Sequence, residues 1–377
     1  MKILIEGVSI LSLDERRPFI KKGYIYIDRG ITVAYNEGEP PPELEFAEYV
    51  VNESFAVAIP GFTVGMGNIL EYLFQFTQKS KQELMQRISS LTKLETEALI
   101  EVSLASLNQN GVTSIISFIP EPLEKLLSAI ASAVSDAWTR FRIVIPFANL
   151  SSVHDLENIV STVIRSCKDM EAIKRGLLSL GILIENDKEV DKLTSEFITT
   201  INEKDIFVYV NYTAYVRHPK VFEDIKNLII LDPDIPTENC AYTSLSQWKP
   251  PCALLTRETI MLNPQKLLTS LPTHIYNDIY TPISILTRFN SMNNRIGVHR
   301  ISEGVHSDII LVSFRDPPYG PIPMEDFTIL NALNNAFYNV KLVLVDGEIV
   351  VDNFLHLNVG EEKIRRVHVI MEEFEKR

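Results

Sequence analysis

The chain has 377 residues, 46% hydrophobic and 23% charged, which fits one large globular domain plus a smaller one, able to bury a core without disulfides. A formal net charge of −13 argues against a nucleic-acid or anionic-membrane binder, since both need clustered Lys/Arg. Three cysteines, Cys167, Cys240 and Cys252, are too few and too scattered for a disulfide framework, and none forms the Cys-x-x-Cys pair of a zinc–thiolate site.

The opening run KILIEGVSIL reads as a strand, and GYIYIDRGITVAY as two strands turning at Asp28-Arg29-Gly30, where Gly30 can supply a positive φ. Residues 37–45, EGEPPPELE, cannot extend a ladder because the prolines lack donors. A short strand at Tyr49-Val50-Val51 precedes the apolar run FAVAIPGF. Glu6 interrupts the first apolar run, and no stretch approaches the roughly 18 apolar residues of a membrane span. The chain therefore reads as a soluble cytoplasmic protein.

From about residue 56 strands and helices alternate. Thr92 and Glu95 have the spacing of a capping box, and the helix that follows, with Ala98, Val102 and Ala105 on one face, ends at Asn110-Gly111. VTSIISFIP suits a buried strand. The alternation continues as helix 122–138, strand 141–147, helix 154–176, strand 179–184, helix 188–203, strand 205–210, helix 219–226 and strand 227–231. Such repetition predicts a parallel α/β sheet or barrel with helices outside. Between 232 and 280 the rhythm breaks into loop-like PDIPTEN, SQWKPP and SLPTH, and the last barrel elements cannot be placed. Helix resumes over 282–296. HSDIILVSF and VKLVLVDGEIVVDN are β-rich, the latter a hairpin turning at Asp346-Gly347, and the tail GEEKIRRVHVIMEEFEKR is an amphipathic helix. β regions at both ends of an α/β centre suggest that the two ends meet in one small sheet domain.

This layout resembles the metal-dependent amidohydrolase superfamily, in particular its cytosine/guanine deaminase and chlorohydrolase-like branch. GYIYIDRGITVAY is similar to the family's G-x-I-x-I-x-x-G-x-I stretch, VVNESFAVAIPGF to the segment ending in P-G-F, and Gly111-Val112-Thr113 to the opening of the second barrel strand. EGVHSDIILVSF and VDGEIVVDN are similar to the family's closing motifs. The resemblance implies a distorted (β/α)8 TIM-like barrel over 56–304, plus a composite β-sandwich domain from 1–55 and 305–377. It also implies a hydrolase in which a metal-bound hydroxide attacks an amide, amidine or ring carbon.

In that family P-G-F is followed by His-x-His on the first barrel strand. Here the two positions hold Met66 and Asn68, in Met66-Gly67-Asn68. Similarity of DIFVYVNYTA and LIILDPD to two later ligand strands puts Asn211 and Asp232 where histidines are expected, and Ala214 where an acid/base Glu would stand. A thioether and neutral amides are poor ligands for Zn²⁺ or Fe²⁺. The seven histidines, His154, His218, His274, His299, His306, His356 and His368, form no paired-ligand spacing. Glu121, Glu185, Asp232 and Asp234 follow predicted strands and could hold a hard cation, though loop carboxylates are usually just solvated. The aromatic group Tyr72, Phe74 and Phe76 reads as core packing, and Asn211-Tyr212-Thr213 matches an N-glycosylation pattern within a barrel strand.

The sequence thus predicts an amidohydrolase-related protein without metal-dependent activity, a pseudoenzyme with a ligand-binding or structural role. Its candidate mouth residues are Met66, Asn68, Asn211 and Asp232. No cofactor is expected, and the partner is a small molecule, with a homodimer consistent with the resemblance. The competing reading is an active hydrolase or deaminase on non-peptide C–N bonds, with an atypical or absent metal site; only that reading calls for a divalent metal.

Overall fold

A computed structural model describes residues 1–73, 81–121, 124–237, 239–255, 264–271, 275, 280–334 and 339–376. Two sheets organise the chain, as the sequence predicts. The first is built from both ends: β1 (Lys2–Leu11), β2 (Phe19–Asp28), β3 (Ile31–Glu37), β4 (Tyr49–Asn52) and β5 (Ala56–Pro60) join four later strands. The second has eight strands: β6 (Phe62–Met66), β7 (Val112–Phe118), β8 (Arg140–Pro146), β9 (Leu178–Ile184), β10 (Phe207–Asn211), β11 (Leu228–Leu231), β12 (Cys240–Tyr242) and β13 (Ala253–Leu254). The chain then supplies β14 (Ile309–Ser313), β15 (Asn339–Val345), β16 (Glu348–Asp352) and β17 (Leu355–His356).

In the terminal sheet the order is β17-β16-β15-β14-β5-β1-β2-β3, with β4 also on β1. Most pairs are antiparallel; β1 runs parallel to β4 and β5. Ile25 of β2 and Leu344 of β15 stand far apart in that order yet share one buried cluster. A sheet folded onto itself as a sandwich brings such residues together. Gly30 and Gly347 have φ of 81° and 72° at the two hairpin turns, and a Cβ on Gly347 would lie 2.3 Å from the Gly30 Cα. Both turns need glycine.

The second sheet runs β6 through β13 in chain order, and β8 to β13 pair in parallel. Leu255, just past β13, bridges back in parallel to Gly65 of β6, which closes the eight strands into a barrel. A Cβ on Gly65 would sit 2.5 Å from Leu255 Cδ2 and 2.7 Å from its Cα, so closure depends on a residue without a side chain. Strands β7, β8 and β10 are almost wholly buried, in keeping with their continuous apolar runs.

Several helices differ from the periodicity. The expected helix 154–176 divides into Val153–Ser166 and Met170–Lys174, because Asp169 caps a new start by accepting from Glu171 N at 2.8 Å. The expected helix 188–203 divides into Asp187–Val190 and Ser195–Glu203, the second capped by Thr194. A helix at Tyr212–Arg217 was not anticipated at all; Asn211 starts it. In the stretch without rhythm lie β12 and β13, strands of three and two residues that are too short to carry a period. There Cys240 and Cys252 form a disulfide, a pairing the spacing argument did not foresee because adjacent parallel strands supply the proximity. Cys167 is a buried thiol.

The chain divides into two compact units: residues 1–64, 106–114 and 263–357, and residues 65–105, 115–262 and 358–377. The candidate site below lies within the second. No described helix is long and apolar enough to cross a membrane.

Candidate functional site

In a closed α/β barrel, functional groups stand at the C-terminal ends of the strands. Met66 is the last residue of β6, and its thioether is fully buried. Asn68 follows in the turn and is 2% exposed; its Oδ1 accepts from Leu70 N at 3.1 Å, capping a single 3-10 turn, Ile69–Glu71. Ser117 of β7 fixes this turn from the neighbouring strand. Its hydroxyl donates to the Gly67 carbonyl at 2.7 Å and accepts from Ile69 N at 3.2 Å.

Asn211 ends β10, paired with Leu231 of β11, and Asp232 follows Leu231. These two residues therefore stand on neighbouring strands at one level. The Asn211 Oδ1 accepts from Thr213 N at 3.0 Å, as an N-cap. Asp232 has a φ of 52° and gives both oxygens to Thr243, accepting from its N and its Oγ1 at 2.7 Å each. All four candidates thus reach strand ends. Three carry out local backbone work, and the fourth is packed away.

A cavity of about 240 Å³ opens at the C-terminal ends of β6 to β9. Asn68 is the one member of the candidate set that lines it. The other polar side chains there are Glu71, 8% exposed, and Glu185, which is exposed; Phe118, Val144 and Leu183 give apolar walls. Glu185 is among the carboxylates placed after strands by the sequence. Glu71 was missed, because the stretch after β6 has no periodicity and only its aromatic residues drew notice. Of those, Tyr72 is buried, and Phe74 and Phe76 lie outside the described residues. A smaller cavity of about 30 Å³ shares Asn68 and Pro120, with Glu121 and Lys125 beyond them. Lys125 donates to the Leu91 and Ser89 carbonyls, at 2.5 and 3.0 Å.

Two residues before Val144 on β8, on the same face, Arg142 is 1% exposed. It donates from Nη1 to the Tyr209 hydroxyl at 3.0 Å and from Nε to Ser179 Oγ at 3.1 Å, and its guanidinium carbon lies 3.3 Å from the Phe207 ring centroid. Burial pushes the Tyr209 hydroxyl up, against the pull of Arg142. Tyr209 in turn meets Phe118 edge-on, with ring centroids 5.8 Å apart. A polar, cationic layer inside the barrel was not foreseen either, since one arginine in a strand carries no motif.

The histidines have other tasks. His154, His306 and His368 pair with Glu157, Asp346 and Glu372, and His218 Nε2 lies 3.7 Å from Asp187 Oδ1. Burial lowers His299, and it brings His356, whose Nε2 meets Asn108 Oδ1 at 3.2 Å, down to about 4. His274 lies outside the described residues. Among the described residues, one group of three acidic side chains is close enough to share an ion: Glu97, Glu101 and Asp136. It sits on helices rather than at strand ends, and ammonium groups already occupy it. Lys168 pairs with Glu97 and with Asp136 at 2.7 Å, while Lys363 of the tail helix Glu361–Lys376 pairs with Glu101 and with Asp136 at 3.3 Å. Burial, then the neighbouring Asp136 carboxylate, push Glu101 up to about 7 against the pull of Lys363. Burial also acts on Asp136, yet Lys168 and the hydrogen bond from Glu101 hold it below the usual range.

No protein-family model matches this sequence. No curated protein matches it either. Solved structures do share its fold across nearly the whole chain. Atrazine chlorohydrolase from Arthrobacter aurescens, complexed with zinc, is 12% identical with a TM-score of 0.70, over 99% of this chain and 100% of that one. An adenosine deaminase from Xanthomonas campestris with bound zinc is 13% identical with a TM-score of 0.69, over 100% and 99%. An amidohydrolase from a Sargasso Sea environmental sample is 12% identical with a TM-score of 0.71, over 99% of each chain. Identity this low speaks for a shared fold and not for shared chemistry.

Proposed function

We propose that this chain is an amidohydrolase-superfamily protein by descent that binds a small molecule at its barrel mouth and does without the family's transition metal. The observation that carries the reading is the occupation of the four positions where the resemblance puts metal ligands. Met66 offers a buried thioether. The oxygens of Asn68 and Asn211 cap helical starts, and both oxygens of Asp232 accept from Thr243. Zinc sites draw on imidazole, thiolate and free carboxylate, with further hydrogen bonds orienting those ligands. One carboxylate already bonded twice, beside amides and a thioether, does not fit Zn²⁺ or Fe²⁺. No step through a metal-bound hydroxide is derived for this chain.

What supports a binding role is the open space above the barrel. The cavity sits where α/β barrels place their ligands, with a few polar groups set among apolar walls. Elemental analysis of the full chain, purified without chelators, tests the reading. Zinc and iron far below one per chain are expected; one tightly held transition metal per chain would return the protein to the metal-dependent hydrolases.

A further inference from the structure

We infer that the outer face of the tail helix, Glu361–Lys376, docks on the same face of a second copy of this chain, antiparallel and about a two-fold axis through Val369. The association goes beyond the small-molecule reading above and does not depend on it. Val369 is 54% exposed, near the middle of the helix. Exposed charges flank it in a pattern that has a direction: Arg365 and Arg366 stand four and three positions before it, Glu372 and Glu373 three and four positions after it. Positions three and four apart lie on one side of a helix, so these residues form a single seam. The inner side of the helix is already committed. Val367, Ile370 and Phe374 are buried, Lys363 holds Glu101 and Asp136, and the Arg87 guanidinium donates to the Phe374 carbonyl. A fixed element therefore presents the seam. A groove of about 350 Å³ runs beside it, between Arg366, Val369 and Glu373 on the helix and Glu95 near the start of helix Lys93–Gln109. Leu94, next to Glu95, is 64% exposed.

Two copies of the helix related by that axis run antiparallel, and each position before Val369 faces the equivalent position after it. Arg365 of each copy then faces Glu373 of the other, and Arg366 faces Glu372. The two Val369 side chains meet on the axis. A parallel pairing in the same register sets arginine against arginine and glutamate against glutamate. Charge therefore selects the antiparallel arrangement of two identical chains. With a net charge of −13, two copies repel at long range, so the attraction has to be local. Within one chain Arg365, Arg366 and Glu372 pair with Glu361, Glu362 and His368 at 2.9, 3.3 and 3.1 Å. Pairs this exposed are worth little and exchange readily for contacts across an interface. A helix of 16 residues is about 24 Å long and about 10 Å wide. Its footprint is well short of the roughly 800 Å² that each partner gives to a standard interface, so the dimer is weak and reversible.

Analytical ultracentrifugation of the full chain should show a dimer at about 100 µM that dissociates on dilution to about 1 µM. Arg365→Glu with Arg366→Glu, and separately Glu372→Arg with Glu373→Arg, should each weaken self-association about a hundredfold. An equimolar mixture of the two variants should associate, because each Glu then faces an Arg again. All four changes in one chain should restore self-association for the same reason. That chain carries its carboxylates toward the helix N-terminus and its arginines toward the C-terminus, which suits the helix dipole and keeps the helix folded. Val369→Cys should be joined into a covalent dimer by a short bis-maleimide, whereas Ile364→Cys, 51% exposed but off the seam, should not. A wild type that stays monomeric at about 100 µM, or reversals that leave its dimer unchanged, would overturn the inference. So would a mixture or a four-change chain that stays monomeric, or equal cross-linking of Ile364→Cys and Val369→Cys.

Discussion

Replacing Lys363 by Met should destabilise the protein in a pH-dependent way. Lys363 reaches from the tail helix to Glu101, which is fully buried on helix Lys93–Gln109, and to Asp136 at 3.3 Å. With it gone, the ammonium left in the cluster among the described residues is Lys168, which pairs with Glu97 and Asp136 and not with Glu101. Breaking a buried pair by removing one partner costs about 3–5 kcal/mol, because a charge is left uncompensated. That cost applies in full only while Glu101 is ionised. Its carboxyl is raised from 4.5 to about 7 with Lys363 in place and rises further without it, so at about pH 5.5 it is neutral in both proteins and the loss should fall to about 1–2 kcal/mol. Urea unfolding at about pH 8 and pH 5.5 measures both values. Equal losses at the two pH values would refute the argument.

The wild-type pH profile carries two opposing terms. Because Glu101 is raised in the folded state, the folded protein binds more protons than the unfolded one between pH 4.5 and about 7, and stability from this group falls as pH rises through that window. His356, lowered from 6.5 to about 4 by burial, works the other way, and its stability is lost as pH falls through that range. The informative quantity is therefore the difference between wild type and Glu101→Gln. It should change by up to about 3 kcal/mol across the window, at about 1.4 kcal/mol per unit. Adding Glu101→Gln to Lys363→Met should recover most of the loss at high pH.

Gly65→Ala should lower the unfolding midpoint by the equivalent of about 2 kcal/mol or more, since its Cβ would meet the Leu255 backbone at 2.7 Å, whereas Gly360→Ala, with nothing within 4 Å, should leave it unchanged. Asp232→Ala should cost about 2 kcal/mol by stranding Thr243 N and by placing Ala at positive φ, and Asp232→Asn should cost less; a neutral Asp232→Ala would mean this carboxylate is free to serve a ligand after all. Titration of thiols in denaturant without reductant should count one, Cys167, and three after reduction; three before reduction would contradict the Cys240–Cys252 pair.

Local pattern was enough for much of the barrel. VTSIISF and LIIL are runs whose burial on both faces follows from composition, and the Thr92–Glu95 capping box forms as its spacing predicts, with Glu95 Oε2 accepting from Thr92 N at 2.7 Å. Hairpins at Gly30 and Gly347 were legible for the same reason: only glycine tolerates those turns cheaply. The residue types at the strand ends were legible too, so the thioether at Met66 and the amides at Asn68 and Asn211 could be named without coordinates.

Tertiary structure decided the rest. β12 and β13 are too short to have a period, and only the Gly65–Leu255 bridge identifies them as the strands that close the barrel. Which carboxylates share a cavity depends on bringing the turn after β6 beside the end of β9, residues more than a hundred positions apart, and no local rule pairs Glu71 with Glu185. The same holds for Glu101, Asp136 and Lys363. A side chain's type is written in the sequence, but its charge state and its use are set by neighbours that arrive only when the chain folds.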